Sequence, residues 1–205
     1  MNHWDAPRWG AGYFDWTKNP SIARSLKSAG YTTGVAGKWQ LNDFRTHPEA
    51  MVKHGFDDYC MWTGAEGSEI EGHAALSEKR YWDPYIHTKE GSKTHKGKFG
   101  PDIYNDFVLN FISNNKPFFI YYPMALTHTP LVHTPLSPDA KTKLEKHHAM
   151  VEYTDFLLGK IITKLDEEKI RKNTIVIWTC DNGTSGRFSN MQNGRKVKGG
   201  KTKTT

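Results

Sequence analysis

The chain has 205 residues, of which 28 are Lys or Arg and 22 are Asp or Glu, so its formal net charge is +6. Its 37% hydrophobic content and 18 glycines allow a core of ordinary size, and no apolar run reaches the ~18 residues of a membrane-spanning helix. Two cysteines, Cys60 and Cys180, without CxxC spacing exclude a disulfide framework and a cysteine-based zinc site.

Helix and strand signals alternate along the first hundred residues. Pro20 to Ala29 predicts a short helix that stops at Gly30. Three further segments predict a strand rich in β-branched residues, a second short helix and a second strand: "YTTGVAG" (31–37), "HPEAMVKHG" (47–55) and "FDDYCMW" (56–62). Residues 62–99 have no clear period and predict an irregular surface excursion, in which Tyr81, Trp82 and Tyr85 either line a sugar subsite or pack.

The periodicity is clearer in the second half. Pro101 to Asn114 predicts a helix with Ile103, Phe107, Val108 and Phe111 on its apolar face. "PFFIYYPMAL" (117–126) predicts a buried strand, and Ser137-Pro138 predicts the start of a long helix that continues to about Ile170. This helix has an apolar face of Met150, Tyr153, Leu157, Leu158, Ile161, Ile162 and Leu165. The alternation predicts an α/β fold with a mostly parallel central sheet flanked by helices.

The segment "TIVIWTCDNG" (174–183) predicts a last buried strand that ends on Asp181 and Asn182. Asn-Gly is a strong signal for a β-hairpin, yet residues 184–205 are polar, glycine-rich and basic, without strand alternation. The alternative is a ligand site at the carboxyl end of a parallel strand, where open α/β sheets place their chemistry. Both interpretations remain open at this point.

Three predicted strands end on polar side chains: Lys38, His128, and the Asp181-Asn182 pair. Taken singly, each has an ordinary explanation: the lysine is solvated, the histidine lies in a loop, and the Asp-Asn pair forms a turn. Because the carboxyl ends of parallel strands meet at one edge, we expect the groups to converge there. Asp181 and Asn182 offer hard oxygen ligands suited to calcium or magnesium. A cation, a lysine and a histidine around one point would bind a tetrahedral oxyanion.

Four segments in this order resemble the motifs of the sulfatase family. They are "GYTTGVAGKW" (30–39), "PFFIYYPMALTHTP" (117–130), "TIVIWTCDNG" (174–183) and "GGKTKTT" (199–205). The resemblance implies an alkaline-phosphatase-like α/β fold that hydrolyses sulfate esters, in which Asp181 and Asn182 are calcium ligands, magnesium being the second choice. It also implies that Lys38, His128 and Lys201 contact the sulfate group and that His128 protonates or stabilises the leaving oxygen.

The same resemblance implies partners and a location. The substrate would be a sulfated small molecule or sulfated carbohydrate rather than a nucleic acid, and the full-length parent would be periplasmic or secreted. The opening residues 1–16 lack the charged start and apolar stretch of a signal peptide. The chain therefore leaves the location unknown.

The sequence departs from the family pattern at two places. Gln40 stands where a histidine usually follows Gly-Lys-Trp, and it can hydrogen-bond substrate but cannot take up a proton near neutral pH. The Asp-Asp pair and Cys/Ser-x-Pro-x-Arg motif, which would carry a formylglycine nucleophile, are absent, and neither Cys60 nor Cys180 matches them. We expect residues 1–205 to be a partial catalytic domain, missing both ends and inactive by itself.

Two other functions remain open from sequence alone. A phosphodiesterase or phosphonate hydrolase of the same superfamily would use nearly the same site, since sulfate and phosphate esters share their geometry. A truncated, non-catalytic remnant would instead bind polyanions through its basic surface, with strong dependence on salt.

Overall fold

The computed structural model describes residues 14–42, 44, 47–63 and 80–201. The chain divides into two compact units, Met1–Lys169 and Ile170–Thr205, and each is described by itself. The elements of the first unit are, in chain order, α1 (Ile22–Ser28), β1 (Thr32–Trp39), α2 (Ala50–Lys53), β2 (Asp58–Thr63), β3 (Tyr85–Thr88), β4 (Gly91–Thr94), α3 (Gly100–Asn114), β5 (Phe118–Tyr121) and α4 (Lys143–Glu167). The second unit has a short 3₁₀ turn, Arg171–Asn173, and two strands, β6 (Ser189–Gln192) and β7 (Arg195–Lys198).

The first unit is built on one five-stranded sheet with the order β4-β3-β2-β1-β5. Strand β1 is parallel to β2, with Lys38 opposite Trp62, and is parallel to β5, with Thr33 opposite Phe119. The carboxyl ends of β1, β2 and β5 therefore lie at one edge of the sheet. This confirms the predicted sheet flanked by helices.

The predicted irregular excursion, residues 62–99, contains regular structure in its described part. Strands β3 and β4 form a hairpin that extends the sheet, antiparallel to β2 through Met61 opposite His87. The sequence hides this hairpin because β4 is mostly exposed and polar, so that only Ile86 of β3 shows a fully buried apolar side chain. Residues 64–79 of the excursion lie outside the described residues.

Helix α3 occupies the predicted range, but its buried face is rotated. Val108 and Phe111 are buried as predicted, whereas Ile103 and Phe107 are only partly buried. Tyr104 and Ile112 are buried instead, because positions 104, 108, 111 and 112 form one stripe at helical spacing.

Helix α4 begins at Lys143 rather than at Pro138. Thr142 and Glu145 form a reciprocal capping box, in which the Thr142 hydroxyl accepts from the Glu145 backbone N–H and the Glu145 carboxylate accepts from the Thr142 N–H. Ser137 belongs to a preceding turn, where its N–H donates to the Thr134 carbonyl oxygen at 3.0 Å. Of the predicted face, Met150, Tyr153, Leu157 and Leu165 are buried; Leu158, Ile161 and Ile162 are partly buried.

Strand β5 is shorter and less buried than predicted. It covers Phe118–Tyr121, its first three residues are half-buried, and Tyr121 is 51% exposed. The reason is its position, because β5 is the outermost strand of the sheet that the described residues form.

The predicted buried strand at Thr174 to Trp178 is not a strand in the second unit. These residues lie outside any ladder of the described chain, and Ile175 is 89% exposed. A strand forms only where a neighbouring backbone satisfies its N–H and C=O groups, and in this unit the one described ladder joins β6 to β7.

A hairpin does occur in this unit, though not at Asn182-Gly183. Neither of those residues has a positive φ, which the tight hairpin turn requires. The turn is formed by Asn193 and Gly194, with φ of 50° and 76°, between β6 and β7. The sequence interpretation missed this second Asn-Gly because the strands around it are polar.

Candidate active site

The loop that follows β5 is held against the end of β1. The Lys38 backbone N–H donates to the Pro123 carbonyl oxygen at 2.8 Å. Gly37 has a φ of +110°, and a β-carbon there would lie 2.3 Å from the same Pro123 oxygen. Only glycine allows this approach. The "AGKW" segment thereby places Lys38, which is half-buried, and Gln40, which directly follows β1, beside the loop that carries His128.

His128 lies in that loop, seven residues beyond the end of β5, with an exposed side chain. Its backbone N–H donates to the Ala125 carbonyl oxygen at 3.1 Å. The ring atom Nδ1 lies 3.1 Å from Arg80 Nη2 and 2.9 Å from the Thr129 carbonyl oxygen. Both the loop backbone and Arg80 therefore contact the Nδ1 edge of the His128 ring.

Two neighbouring residues contact the His128 loop: Arg80, which sequence reasoning missed, and Tyr81, which it named only as lining a sugar subsite or packing. The Arg80 side chain is only 2% exposed, its guanidinium carbon lies 4.7 Å from the centroid of the Trp62 ring, and it donates to the Thr129 carbonyl oxygen. Burial lowers the pKa of Arg80. No local pattern distinguishes this arginine, because its contacts come from β2 and from the loop around residue 129.

Tyr81 anchors the same loop from inside the protein. Its hydroxyl lies 2.6 Å from the carbonyl oxygens of both Ala125 and His128 and can donate its hydrogen to one at a time. Burial raises the pKa of Tyr81. Trp82 stacks on the ring of His133 at 5.0 Å. Of the two interpretations of Tyr81 and Trp82, the packing one accounts for these contacts.

The first unit thus places three of the predicted site residues, Lys38, Gln40 and His128, at the same edge of the sheet. Lys38 lies opposite Trp62 at the ends of two parallel strands, Arg80 stacks on Trp62, and Arg80 contacts His128. This edge of the sheet offers two cationic side chains and an imidazole, which suits a tetrahedral anion.

The second unit brings the other three together. The Lys201 backbone N–H donates to the Thr184 carbonyl oxygen at 2.9 Å. A β-carbon at Gly183 would lie 3.3 Å from the Lys201 nitrogen. Lys201 therefore lies beside the segment that carries Asp181 and Asn182, whose side chains are exposed.

A calcium ion fits the donor chemistry of Asp181 and Asn182, since both present hard oxygens. Calcium takes six to eight oxygens, and among the described residues no group of three or more His, Cys, Asp or Glu side chains could hold a metal ion. The pair would therefore supply part of a metal site.

The two cysteines differ in their surroundings. Cys60 lies in β2 with 3% exposure, and burial raises the pKa of its thiol to about 12. A thiol that stays protonated and buried is not a nucleophile. Cys60 is therefore a core residue. Cys180, by contrast, is exposed in the second unit.

The comparison with known proteins identifies the family. Residues 13–204 match the sequence model of the Sulfatase family. The chain belongs to the sulfatase family. This confirms the likeness that its four motifs indicated.

Sulfatases of several organisms are similar in sequence. The chain is 28% identical to an arylsulfatase of Hemicentrotus pulcherrimus over 187 residues, covering 83% of this chain and 34% of that protein. It is 29% identical to the N-acetylgalactosamine-6-sulfatase of Mus musculus, covering 78% and 32% respectively. An ulvan-active sulfatase of Formosa agariphila is 25% identical, covering 79% and 35%. The chain thus spans about a third of the length of these sulfatases.

Two solved structures share the fold. A crystal structure of the protein Ps i-CgsB has a TM-score of 0.60 at 22% identity and covers 80% of this chain and 40% of that one. A structure from work on glycosaminoglycan metabolism by Bacteroides thetaiotaomicron has a TM-score of 0.59 at 18% identity and covers 82% and 42%. These likenesses confirm the α/β fold class. In the described part of this sulfatase chain, no helix combines the length and apolar character that crossing a bilayer requires.

Proposed function

We propose that the protein carrying this sulfatase chain hydrolyses sulfate esters, with a sulfated carbohydrate as substrate. Membership of the family supports the reaction, and the names of relatives that act on N-acetylgalactosamine-6-sulfate and ulvan support the substrate class. The observation that carries the proposal is the closure of the His128 loop on β1, since Gly37 and the Lys38 N–H both meet Pro123.

In this proposal the residues of the first unit bind the ester and move a proton. The Lys38 ammonium attracts the sulfate oxygens and stabilises the charge that develops as the ester bond breaks. His128 supplies a proton to the leaving oxygen, which would otherwise depart as an alkoxide. Gln40 donates a hydrogen bond to the substrate from the end of β1.

Three residues of the second unit have roles of their own in this proposal. Asp181 and Asn182 would hold a divalent cation, calcium in preference to magnesium, and Lys201 would contact the sulfate group. When bound, the cation polarises the sulfate oxygens. The nucleophile is a formylglycine in a part of the parent protein other than these 205 residues.

The test is the turnover of an aryl sulfate by the parent protein matured to carry formylglycine. His128→Ala should lower turnover by about 10²–10⁴-fold, the usual contribution of a positioned acid or base. His133→Ala is the matched control, because His133 lies in the same loop and its ring packs on Trp82.

Equal losses in the two variants would show that the loop matters only as structure. Assays on an aryl phosphate diester decide the substrate class. Faster turnover of the diester than of the sulfate would contradict sulfate ester hydrolysis as the principal activity.

A further inference from the structure

We propose that one face of the β6–β7 hairpin, the face that carries Lys196 and Lys198, binds a sulfated polysaccharide. These two lysines have no part in the proposed hydrolysis, in which Lys201 contacts the reacting sulfate group. The choice of a sulfated partner rests on the proposed function, whereas the charge of the face is a property of the hairpin itself.

The positive charge of the chain is concentrated at one end of the sequence. Residues 182–205 contain six of the 28 Lys and Arg residues and none of the 22 Asp and Glu residues. Residues 1–181 therefore hold 22 cationic and 22 acidic side chains, and the whole formal net charge of +6 comes from residues 182–205. A segment whose charges are all positive is typical of a surface that binds a polyanion.

The hairpin places part of this charge on one face. All four residues of β7 are exposed. Because successive side chains of a strand point to opposite faces, Lys196 and Lys198 share a face and lie about 7 Å apart along the strand. Their cross-strand partners in β6 are Met191 and Ser189. Arg195 lies on the opposite face.

No described carboxylate neutralises these two lysines. The ion pairs of the described chain involve lysines of other segments, and none of them includes Lys196 or Lys198. Two ammonium groups on one exposed face attract the anionic groups of a polymer, and binding releases the counterions that the polymer has condensed. The face therefore suits a chain that carries several anionic groups.

The side chains around the two lysines favour a carbohydrate over a nucleic acid. Proteins that bind single-stranded nucleic acids stack the bases on aromatic rings, and neither β6 (Ser-Asn-Met-Gln) nor β7 (Arg-Lys-Val-Lys) contains an aromatic residue. A lysine ammonium is a point charge on a flexible stem, which suits sulfate groups spaced along a flexible chain. The Ser189 hydroxyl, opposite Lys198, can exchange hydrogen bonds with sugar hydroxyls.

The direct test is the binding of fluorescein-labelled dextran sulfate to the parent protein, followed by anisotropy over a series of salt concentrations. The wild type should bind dextran sulfate and not unsulfated dextran. Lys196→Gln/Lys198→Gln should weaken binding by about 10–100-fold at about 0.1 M salt, and the slope of log affinity against log salt concentration should fall by about 2, one for each charge removed. Unchanged affinity and slope in this double variant would overturn the proposal.

Two control variants separate this face from net charge. Lys89→Gln/Lys93→Gln removes the same charge from exposed positions of the β3–β4 hairpin and should bind dextran sulfate as the wild type does. Equal losses in the two double variants would assign the binding to overall charge and contradict the proposal. Arg195→Gln removes one charge from the opposite face of β7 and should weaken binding less than Lys196→Gln does. Equal losses in these single variants would contradict the assignment to one face.

A single-stranded oligonucleotide tests the choice of partner. At equal salt and equal charge per chain, the parent protein should bind dextran sulfate more tightly than the oligonucleotide, because the face offers no ring on which a base could stack. Tighter binding of the oligonucleotide would overturn a sulfated polysaccharide as the partner.

Turnover separates this surface from the proposed function. Lys196→Gln/Lys198→Gln should keep the wild-type kcat/KM on a small aryl sulfate, because neither lysine contacts the reacting group in the proposed function. On a sulfated polysaccharide the same variant should raise KM by about 10–100-fold with kcat nearly unchanged, the pattern expected when only binding is lost. An unchanged KM on the polymer would contradict a role in substrate binding. If the wild type hydrolysed no sulfate ester, the proposed function would fail while the dextran sulfate result stood.

Discussion

At the scale of single residues, burial decides the protonation of His54. Its side chain is 4% exposed, its Nε2 lies 2.8 Å from Asn42 Oδ1, and Trp39 packs edge-on at 5.1 Å between ring centroids. Burial, with a smaller effect of the Arg24 charge, lowers the pKa of His54 from 6.5 to about 4. His54 is therefore neutral in the folded protein at neutral pH.

This lowered pKa predicts acid sensitivity between pH 6.5 and pH 4. In that window His54 binds a proton in the unfolded chain but stays unprotonated in the folded protein. The free energy of unfolding therefore falls as the pH falls. The lowering of the pKa from 6.5 to about 4 corresponds to about 3 kcal/mol in the free energy of unfolding. Urea unfolding across this range should show the loss, and His54→Gln should flatten the slope. The control His148→Gln, on the exposed face of α4, should keep it; an unchanged slope in His54→Gln would contradict the prediction.

At the scale of elements, the ends of helices depend on contacts that residue preferences do not settle. Ser137-Pro138 and Thr142 are both acceptable starts for α4, yet only Thr142 has a glutamate three residues later that completes a capping box. The hairpins β3–β4 and β6–β7 were missed for a related reason. Their exposed, polar strands leave no hydrophobic alternation, so only the turns and the neighbouring backbones define them.

The cap of α4 gives a stability prediction with a built-in control. Thr142→Ala should lower the free energy of unfolding by about 1 kcal/mol, because it leaves the Glu145 backbone N–H without its acceptor. Ser137→Ala should change it much less, since Ser137 lies in the preceding turn. Denaturant unfolding of both variants measures the difference. A larger loss for Ser137→Ala would place the helix start at the site predicted from sequence.

At the scale of the whole molecule, the residues named in the proposal belong to two compact units. Lys38, Gln40 and His128 belong to the first unit, and Asp181, Asn182 and Lys201 to the second. Since the chain spans about a third of its relatives' length, calcium binding is a property to be tested in the parent protein.

Asp181→Ala in the parent protein should abolish turnover and remove the increase in melting temperature that calcium produces. The reason is that the carboxylate is the charged member of the proposed oxygen pair. Thermal unfolding with calcium and after chelation measures the effect. Asp155→Ala, at an exposed position of α4, is the control and should behave as wild type. If Asp181→Ala matched wild type in both conditions, the metal role of Asp181 would be lost.

The sequence by itself determined the α/β class, the positions of α1, β1, α3 and most of α4, and the placement of Lys38 at the end of one parallel strand and of His128 after another. These features depend on local periodicity and on motifs within about ten residues, which a sequence displays directly. The tertiary structure alone decided the burial of Arg80, its stacking on Trp62 and its contact with His128. Those contacts join residues 18 and 48 positions away in the chain, where only the meeting of β2 with the loop after β5 brings the side chains together. The tertiary structure also explains why residue 37 must be glycine. The carbonyl oxygen that excludes a β-carbon there belongs to Pro123, in the loop that follows β5.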